Sequence, residues 1–600
     1  MAPDVSRSGV QSTASSNMPV DGYQIPDITF CDPKNRRLKV LTIGAGISGI
    51  MMAYHIQKQC QNVEHVIYER NPDIGGTWYG NRYPGAACDT PSHGYTLNFA
   101  LNPDWPLYAS KATDIWKYLN KVCEAFDLKK YMNFNTEIVG CFWDEESGKW
   151  TVKVKQTSES GEKIFEETCD VLLHAAGLLS NFKWPDIKGI EKFKGKLIRE
   201  LSISWIFVHA YSLEQDSAKW PKDYQEEQWQ NESVAILGSG ASSIQLLPTI
   251  QPHVKHIDVY VRTAVWFISV AENDGYAREY TAEEREKFRN DTAALVKHAK
   301  EVESEINSLW EIFLKDSDAQ ERTKKKFLAR MEDLIKDKRL LKGFTPNFSV
   351  GCRRLTPGDP YMKAIQEPNV DVHFAAVEEM TEDSVIDSEG QERKVDTVIC
   401  ATGFDVSYIP RFPIIGQNGV DLREKWKEIP ESYLGLAVPD IPNFLTFMGP
   451  TWPIQNGSVI GSLGGVANYA IKFIKKIQNE FIKSIAPKQD VTDLFNSHTQ
   501  EFMKKSVWSS DCRTWYKNNE TGRVNAIFPG GSLHYLEVIE NPRYEDYNIT
   551  YQNKHNPWAY LGLGFTIRDR TEGADIAPYI NEEAIDPRWL ELIKSGVAIL

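Results

Sequence analysis

Six hundred residues exceed what one hydrophobic core organises, so two or three domains are expected. The composition, 42% hydrophobic and 25% charged, is that of a globular enzyme, and a formal charge of −14 argues against nucleic acid as the main partner because no net basic field attracts it. Nine cysteines, scattered without a CxxC pair, fit a reducing compartment such as the cytoplasm and argue against a zinc cluster or a reductase-type redox disulfide.

Residues 1–37 read as an extension. Its first twenty positions are Ser-rich and polar, carry no secretory signal and read as disordered, whereas Tyr23-Gln24-Ile25-Pro26 are expected to pack on the body. No stretch further on reaches the roughly 18–20 apolar residues of a bilayer span. The apolar run Leu38–Ile43 predicts a strand, followed directly by Gly44-Ala45-Gly46-Ile47-Ser48-Gly49 and a helix over about Ser48–Gln59. Glycines there let the backbone approach a pyrophosphate, and the helix N-terminus offers it free N–H groups and a partial positive charge. A second strand, Val66-Ile67-Tyr68, ends in Glu69, twenty positions beyond Gly49, where a carboxylate can accept from adenosine ribose hydroxyls. This register marks an FAD-type loop; the bland alternative is a structural turn with an ordinary surface glutamate.

Lys149–Val154 alternates like a half-exposed strand. Asp170–Gly177 reads as a buried strand that returns to the first sheet, and Asp396–Gly403 repeats it, so each nucleotide unit is expected to close with the same device. Val234–Leu237 leads into a second loop, Gly238-Ser239-Gly240-Ala241-Ser242-Ser243, in which Ser243 replaces the third glycine. The strand that follows, Ile257–Val261, ends not in an acid but in Arg262-Thr263, which can pair with a 2′-phosphate, so this loop reads as NADP-type. The alternative for Arg262 is a solvated strand end. From about Thr281 to Lys342 glycine and proline are scarce and Glu/Lys pairs are many, which predicts a helical insert, with Lys324-Lys325-Lys326 on a solvated face.

The predicted fold is α/β: two doubly wound, Rossmann-like dinucleotide-binding domains with a helical insert in the second. A flavin domain is expected over 38–185 and 396–550, an inter-domain linker over 186–230, the NADP domain over 231–395 and a tail over 551–600. No metal site is expected.

Between the loops, Gly75-Gly76-Thr77-Trp78-Tyr79-Gly80-Asn81-Arg82-Tyr83-Pro84-Gly85-Ala86-Ala87-Cys88-Asp89 reads Gly-Gly-x-Trp, four residues, aromatic-Pro-Gly, three residues, Asp. This resembles one of two fingerprints of the Baeyer–Villiger monooxygenases, a family of class B flavin monooxygenases. The resemblance runs from about Tyr23 to Tyr551 and is nearest to fungal members of secondary metabolism. It implies FAD and NADPH as cofactors and a small-molecule ketone and O2 as partners. It also implies that Thr77, Trp78, Tyr79, Gly80, Asp89, Thr90 and Tyr95 contact the flavin, and that Ala87, Cys88 and Asp89 approach the nicotinamide. Gln245 joins the cofactor set on the same basis. A packing role for Trp78 and Pro84 in their own loop is compatible with this.

The segment Gly351–Tyr361 is similar to the family segment that carries the active-site arginine, here Arg354, with Arg353 at a basic position near the NADP phosphate. In the family, reduced flavin and O2 give a C4a-peroxide that must stay anionic to attack a ketone. A guanidinium stays charged at any relevant pH and can stabilise both the peroxide and the tetrahedral adduct, and Asp89 can orient it. The alternative is a structural arginine pair in a salt-bridge network. Cys512-Arg513-Thr514-Trp515-Tyr516 resembles the segment whose tryptophan, here Trp515, lies near NADP and substrate; packing on its own loop is the alternative. Gly449-Pro450-Thr451-Trp452-Pro453-Ile454 lines the pocket by the same resemblance.

The second family fingerprint, Phe-x-Gly-x-x-x-His-x-x-x-Trp-Pro, is interrupted. Phe193 and Gly195 begin it, but Arg199 stands where His belongs, and Trp220-Pro221 arrive late. One His in place of Arg199 to Asp216 restores the register, so seventeen residues are in excess. We read them as a translated intron: the Arg199-Glu200 codons can carry a donor-like GTGAG, and Leu201–Val208 is an odd apolar run for a linker. A genuine insertion in which His209 replaces the missing His is the competing reading. Mature messages that all code for Leu201 to Gln215 without interruption would sink the intron.

The function expected from the resemblance is NADPH- and O2-dependent conversion of a ketone to an ester or lactone. The alternatives are hydroxylation or N- or S-oxidation, or a nucleotide-binding homologue left uncoupled or inactive by the linker insert. A pyridine-nucleotide disulfide reductase is argued against by the missing CxxC.

Overall fold

The computed structural model describes residues 23–180, 184–199, 202–203, 220, 226–268 and 278–596. The chain forms two compact units, one of Leu38–Ile474 with Ser484–Asn548, the other of Met1–Arg37, Lys475–Lys483 and Ile549–Leu600.

The larger unit is built on two parallel sheets. In the first, strands run in the order Phe444–Thr446, Val171–His174, Leu38–Ile43, Val63–Tyr68, Met132–Asn133. All pair in parallel, and the strands Leu38–Ile43 and Val171–His174 are largely apolar, as a parallel sheet buried on both faces requires. Val40, Leu41, Val171, Leu172 and Leu173 have no solvent exposure. The helix Ile47–Gln59 follows the first strand. The second sheet has the order Val370–His373, His256–Tyr260, Ser233–Leu237, Thr397–Cys400, Lys196–Arg199, Ser202–Ile203, parallel except for the final hairpin. The helix Ala241–Ile250 leaves its central strand. A four-stranded sheet of Ile414–Ile415, Thr136–Asp144, Lys149–Ser158 and Gly161–Cys169 lies beside the first. Its strand Lys149–Ser158 buries Trp150, Val152 and Val154 in alternation, as its pattern predicts.

The insert is helical: Ala282–Asn290, Thr292–Asn307, Asp318–Leu334 and Lys338–Phe344. Thr281 and Glu284 cap its first helix reciprocally, the side chain of each accepting from the other's backbone N–H. Lys324, Lys325 and Lys326 are exposed.

Three expectations shift. Thr397–Cys400 pairs with Ser233–Leu237, so the chain leaves the NADP side after this strand and not at 396; the strand is the repeat of Val171–His174 in its own sheet. The expected linker also gives the second sheet a strand, Lys196–Arg199, which pairs with Thr397–Cys400. Its hairpin partner Ser202–Ile203 lies in the anomalous stretch; residues 200–201 and 204–216 of that stretch, His209 among them, fall outside the described residues, as do residues 1–22. In the smaller unit Ile25 is 59% exposed instead of packed. The anchors of its extension lie later: Phe30 N–H donates to the Phe565 carbonyl, and the Arg36 guanidinium to those of Ile477 and Ile482.

Among the described residues no helix is long and apolar enough to cross a membrane.

Candidate active site

Both glycine loops adopt the same geometry for the same steric reason. Gly44 has φ +102°, and a Cβ there would lie 2.7 Å from the Ala175 carbonyl oxygen; Gly238 has φ +120°, and a Cβ would meet the Ala401 oxygen at 2.3 Å. The returning strand of each sheet thus presses on the first glycine of its loop. A Cβ on Gly49 would lie 2.1 Å from the Gly44 oxygen, so this third glycine keeps the helix against the turn. Glu69 is buried and fastens the first loop: its carboxylate accepts from Ala45 N–H at 2.8 Å, from Asn71 N–H at 2.9 Å and from the Asn71 side chain at 2.6 Å. One of about four lone-pair sites remains open to a ribose hydroxyl.

The two loops face one cavity of about 1390 Å³, above the roughly 300–1,000 Å³ of an ordinary small-ligand site. Gly44, Gly46, Glu69, Thr77, Trp78 and Gly80 border it on the flavin side, and Ser239, Gly240, Ala241, Ser242, Arg262 and Thr263 on the other. Ala87, Cys88, Asp89, Thr90, Tyr95, Arg353, Arg354 and Trp515 lie between. Burial pushes the Cys88 thiol up to about 12, with Asp89 adding to it, so it stays protonated.

Arg354 donates from Nε to Asp89 Oδ2 at 3.1 Å, with Nη2 of the same guanidinium also 3.1 Å from that oxygen. Its side chain is 45% exposed into the cleft while that of Asp89 is 10% exposed, so the carboxylate is the buried anchor and the guanidinium the presented group. Enclosure opposes the arginine's charge, but the attraction of Asp89 outweighs it and raises the pKa. Arg353 donates to the Ala264 and Thr263 carbonyls at 3.0 and 3.3 Å. Burial, and then the neighbouring Arg262, lowers its pKa. Among the described residues neither Arg262 nor Arg353 pairs with a carboxylate, so two cations converge on one spot, as an anionic ligand requires.

Four members of the sequence-derived set take other roles. Ser243 is fully buried beside Tyr361, with no face on the cavity. Tyr79 turns away, its ring 5.7 Å from the Arg82 guanidinium, and Gly49 acts sterically as above. Gln245 borders the cavity, but its amide is filled. Nε2 donates to Ala87 O and Asp89 Oδ1, both at 3.0 Å, and Oε1 accepts from Tyr83 OH at 2.8 Å and Ala87 N–H at 3.3 Å. It bridges the second nucleotide helix to the fingerprint segment. Trp78 donates from Nε1 to Tyr95 OH at 3.1 Å. Trp515 packs on Tyr516, ring centroids 4.5 Å apart, and borders the cavity as well.

Sequence reasoning passed over Tyr516. It is buried, lines the cavity beside Arg354, and is held protonated by burial against the pull of that arginine. Its only signal was adjacency to Trp515. The cysteines, expected in a reducing compartment, include one bonded pair: Cys352 and Cys512, 160 positions apart, are disulfide-bonded, while Cys31, Cys60, Cys88, Cys123, Cys141, Cys169 and Cys400 are free. Scatter along the chain does not predict scatter in space.

Two dinucleotide loops on one cavity, with an arginine–carboxylate pair between them, define a two-cofactor oxidoreductase. Residues 42–109 match the family model of NAD(P)-binding Rossmann-like domains. The chain is 58% identical over 576 residues to the FAD-binding monooxygenase moxY of Dothistroma septosporum, covering 95% of this chain and 89% of that one. It is 56% identical over 584 residues to the FAD-binding monooxygenase stcW of Emericella nidulans, covering 96% and 94%. A Baeyer–Villiger monooxygenase of Pseudomonas aeruginosa is 28% identical over 517 residues, covering 86% and 92%. In fold, the chain matches the crystal structure of cyclohexanone monooxygenase from Rhodococcus sp. Phi1 bound to NADP+ with a TM-score of 0.71 at 22% identity, covering 86% of this chain and 99% of that one. The chain belongs to the Baeyer–Villiger type of class B flavin monooxygenases, and it is an FAD- and NADPH-dependent monooxygenase.

Proposed function

We propose that this enzyme inserts one oxygen atom of O2 beside the carbonyl of a small ketone, giving an ester or lactone, in the cytoplasmic biosynthesis of a fungal secondary metabolite. The balance is ketone, O2, NADPH and a proton to ester, NADP+ and water. The observation that carries the reading is the Asp89–Arg354 pair, a buried carboxylate holding a fixed cation at the wall of a cavity shared by both loops.

The residues fit both cofactors. Gly44 and Gly46 with the N-terminus of Ile47–Gln59 would hold the FAD pyrophosphate, and Glu69 its ribose. Thr77, Trp78, Gly80, Thr90 and Tyr95 would border the ring. Gly238, Gly240 and the helix Ala241–Ile250 would hold the NADPH pyrophosphate, with Arg262, Thr263 and Arg353 on its 2′-phosphate. Bound FAD supplies the two-electron relay from NADPH to O2. Arg354 then presents a preorganised positive charge where negative charge develops on oxygen, and Asp89 keeps its fork aimed without reorganisation. Trp515 and the 449–454 segment would shape the ketone pocket.

Incubating the enzyme with NADPH, O2 and paired ketone and amine probes tests this. Ester from the ketone is expected; amine oxide without ester would reverse the choice of reaction. NADPH consumed with only hydrogen peroxide formed would identify an uncoupled homologue.

A further inference from the structure

We propose that Cys352 and Cys512 are an oxidant-closed clasp across the active-site wall, a modification site whose reagent is hydrogen peroxide. The two sulfurs join segments 160 positions apart, with Cα atoms 6.4 Å from each other. Each segment carries cavity groups: Arg353 and Arg354 directly follow Cys352, and Arg513, Thr514, Trp515 and Tyr516 directly follow Cys512. A second, weaker tie runs alongside, Ser349 Oγ to Ser510 Oγ at 3.2 Å. Closing the clasp therefore fixes the presented guanidinium against the aromatic pair opposite.

Access decides the reagent. Cys352 is 0% and Cys512 4% exposed, so any reagent needs local opening to reach the pair, and water-sized peroxide needs far less of it than a bulky disulfide or thiol. An enzyme of this class, consuming NADPH and O2, releases hydrogen peroxide when oxygen transfer fails, and it does so next to these segments. The step balances. The two thiols give up two electrons and form one S–S bond, the peroxide O–O bond breaks, and both thiol protons leave in two molecules of water. A dithiol reductant reverses it after local opening. Poor coupling thus supplies the oxidant that tightens the site. The oxidant rests on the NADPH- and O2-consuming reading of the cavity; the identity of the ketone does not enter.

The test uses the full-length enzyme, reduced with dithiothreitol, desalted without air and split. One half is treated with hydrogen peroxide; both are alkylated, digested and mapped. A cross-linked peptide joining Cys352 and Cys512 in the treated half is expected, with both cysteines alkylated in the other. Unalkylated aliquots turn over NADPH without ketone. The rate of hydrogen peroxide release per enzyme is expected to be roughly threefold or more lower in the closed form, since small misplacements in a site change rates strongly. The C352A/C512A variant is expected to lose this redox response. Alkylation of both cysteines after peroxide overturns the clasp, and so does an equal rate of peroxide release in the closed and open forms. Both wild-type readouts stand whether or not the double variant folds. Failure of the ketone reading would leave the peptide map unchanged.

Discussion

Arg354 presents charge while Asp89 fixes direction, and the two roles separate in variants. Arg354→Ala removes the only presented cation of the pair, so oxygen transfer is expected to fall by about 10²–10³-fold, while reduction of the flavin by NADPH persists. Single-turnover bleaching of the flavin, compared with ester yield, checks this; loss of both steps together would place Arg354 in cofactor binding instead. Arg262 acts at the other end of the cavity. Arg262→Ala is expected to raise the KM for NADPH by about 10-fold or more, the loss of one charge-assisted contact, and to leave the KM for NADH unchanged. Steady-state assays with the two nucleotides read the difference.

At the scale of elements, the two loops make the same turn, and their glycines separate the cofactors. Gly49→Ala forces a Cβ to within 2.1 Å of the Gly44 oxygen, and the variant is expected to purify without flavin colour. Gly238→Ala sets a Cβ 2.3 Å from the Ala401 oxygen at φ +120°, and the variant is expected to stay yellow but fail to oxidise NADPH. Absorbance spectra and NADPH consumption on the two proteins check both halves of the assignment. These loops were legible because strand, glycines and helix N-terminus are contiguous, as was the returning strand Val171–His174. What stayed hidden depends on distant partners. Nothing near Gln245 announces that its amide is used up by Tyr83, Ala87 and Asp89, and nothing near Cys352 points to Cys512. Arg354 was found only through a motif, since its partner Asp89 lies 265 positions away. The domain boundary at 396 erred because apolar runs do not say which sheet they join.

At the scale of the molecule, buried histidines set the response to acid. Burial lowers His65 and His93 from 6.5 to about 3; His65 touches Thr42 Oγ1 at 2.8 Å, and His93 sits among the rings of Tyr280, Phe288 and His298. Because the folded-state values lie below the unfolded one, the unfolded chain takes up protons first as pH falls. Their contribution is complete above about pH 6.5 and is lost towards about pH 3, at up to about 1.4 kcal/mol per pH unit for each. The melting temperature is expected to fall steadily from pH 6.5 to 5, and less steeply in His93→Phe. A thermal-melt series across that range measures both slopes. The Gln245 bridge carries a further consequence. A nucleotide that shifts the helix Ala241–Ile250 must also shift the segment from Tyr83 to Asp89, which borders the flavin side. Free-energy linkage is reciprocal. Whatever factor a filled flavin site adds to the grip on the nicotinamide nucleotide, the nicotinamide nucleotide must return to the flavin, and one glutamine amide would set how large that shared factor is.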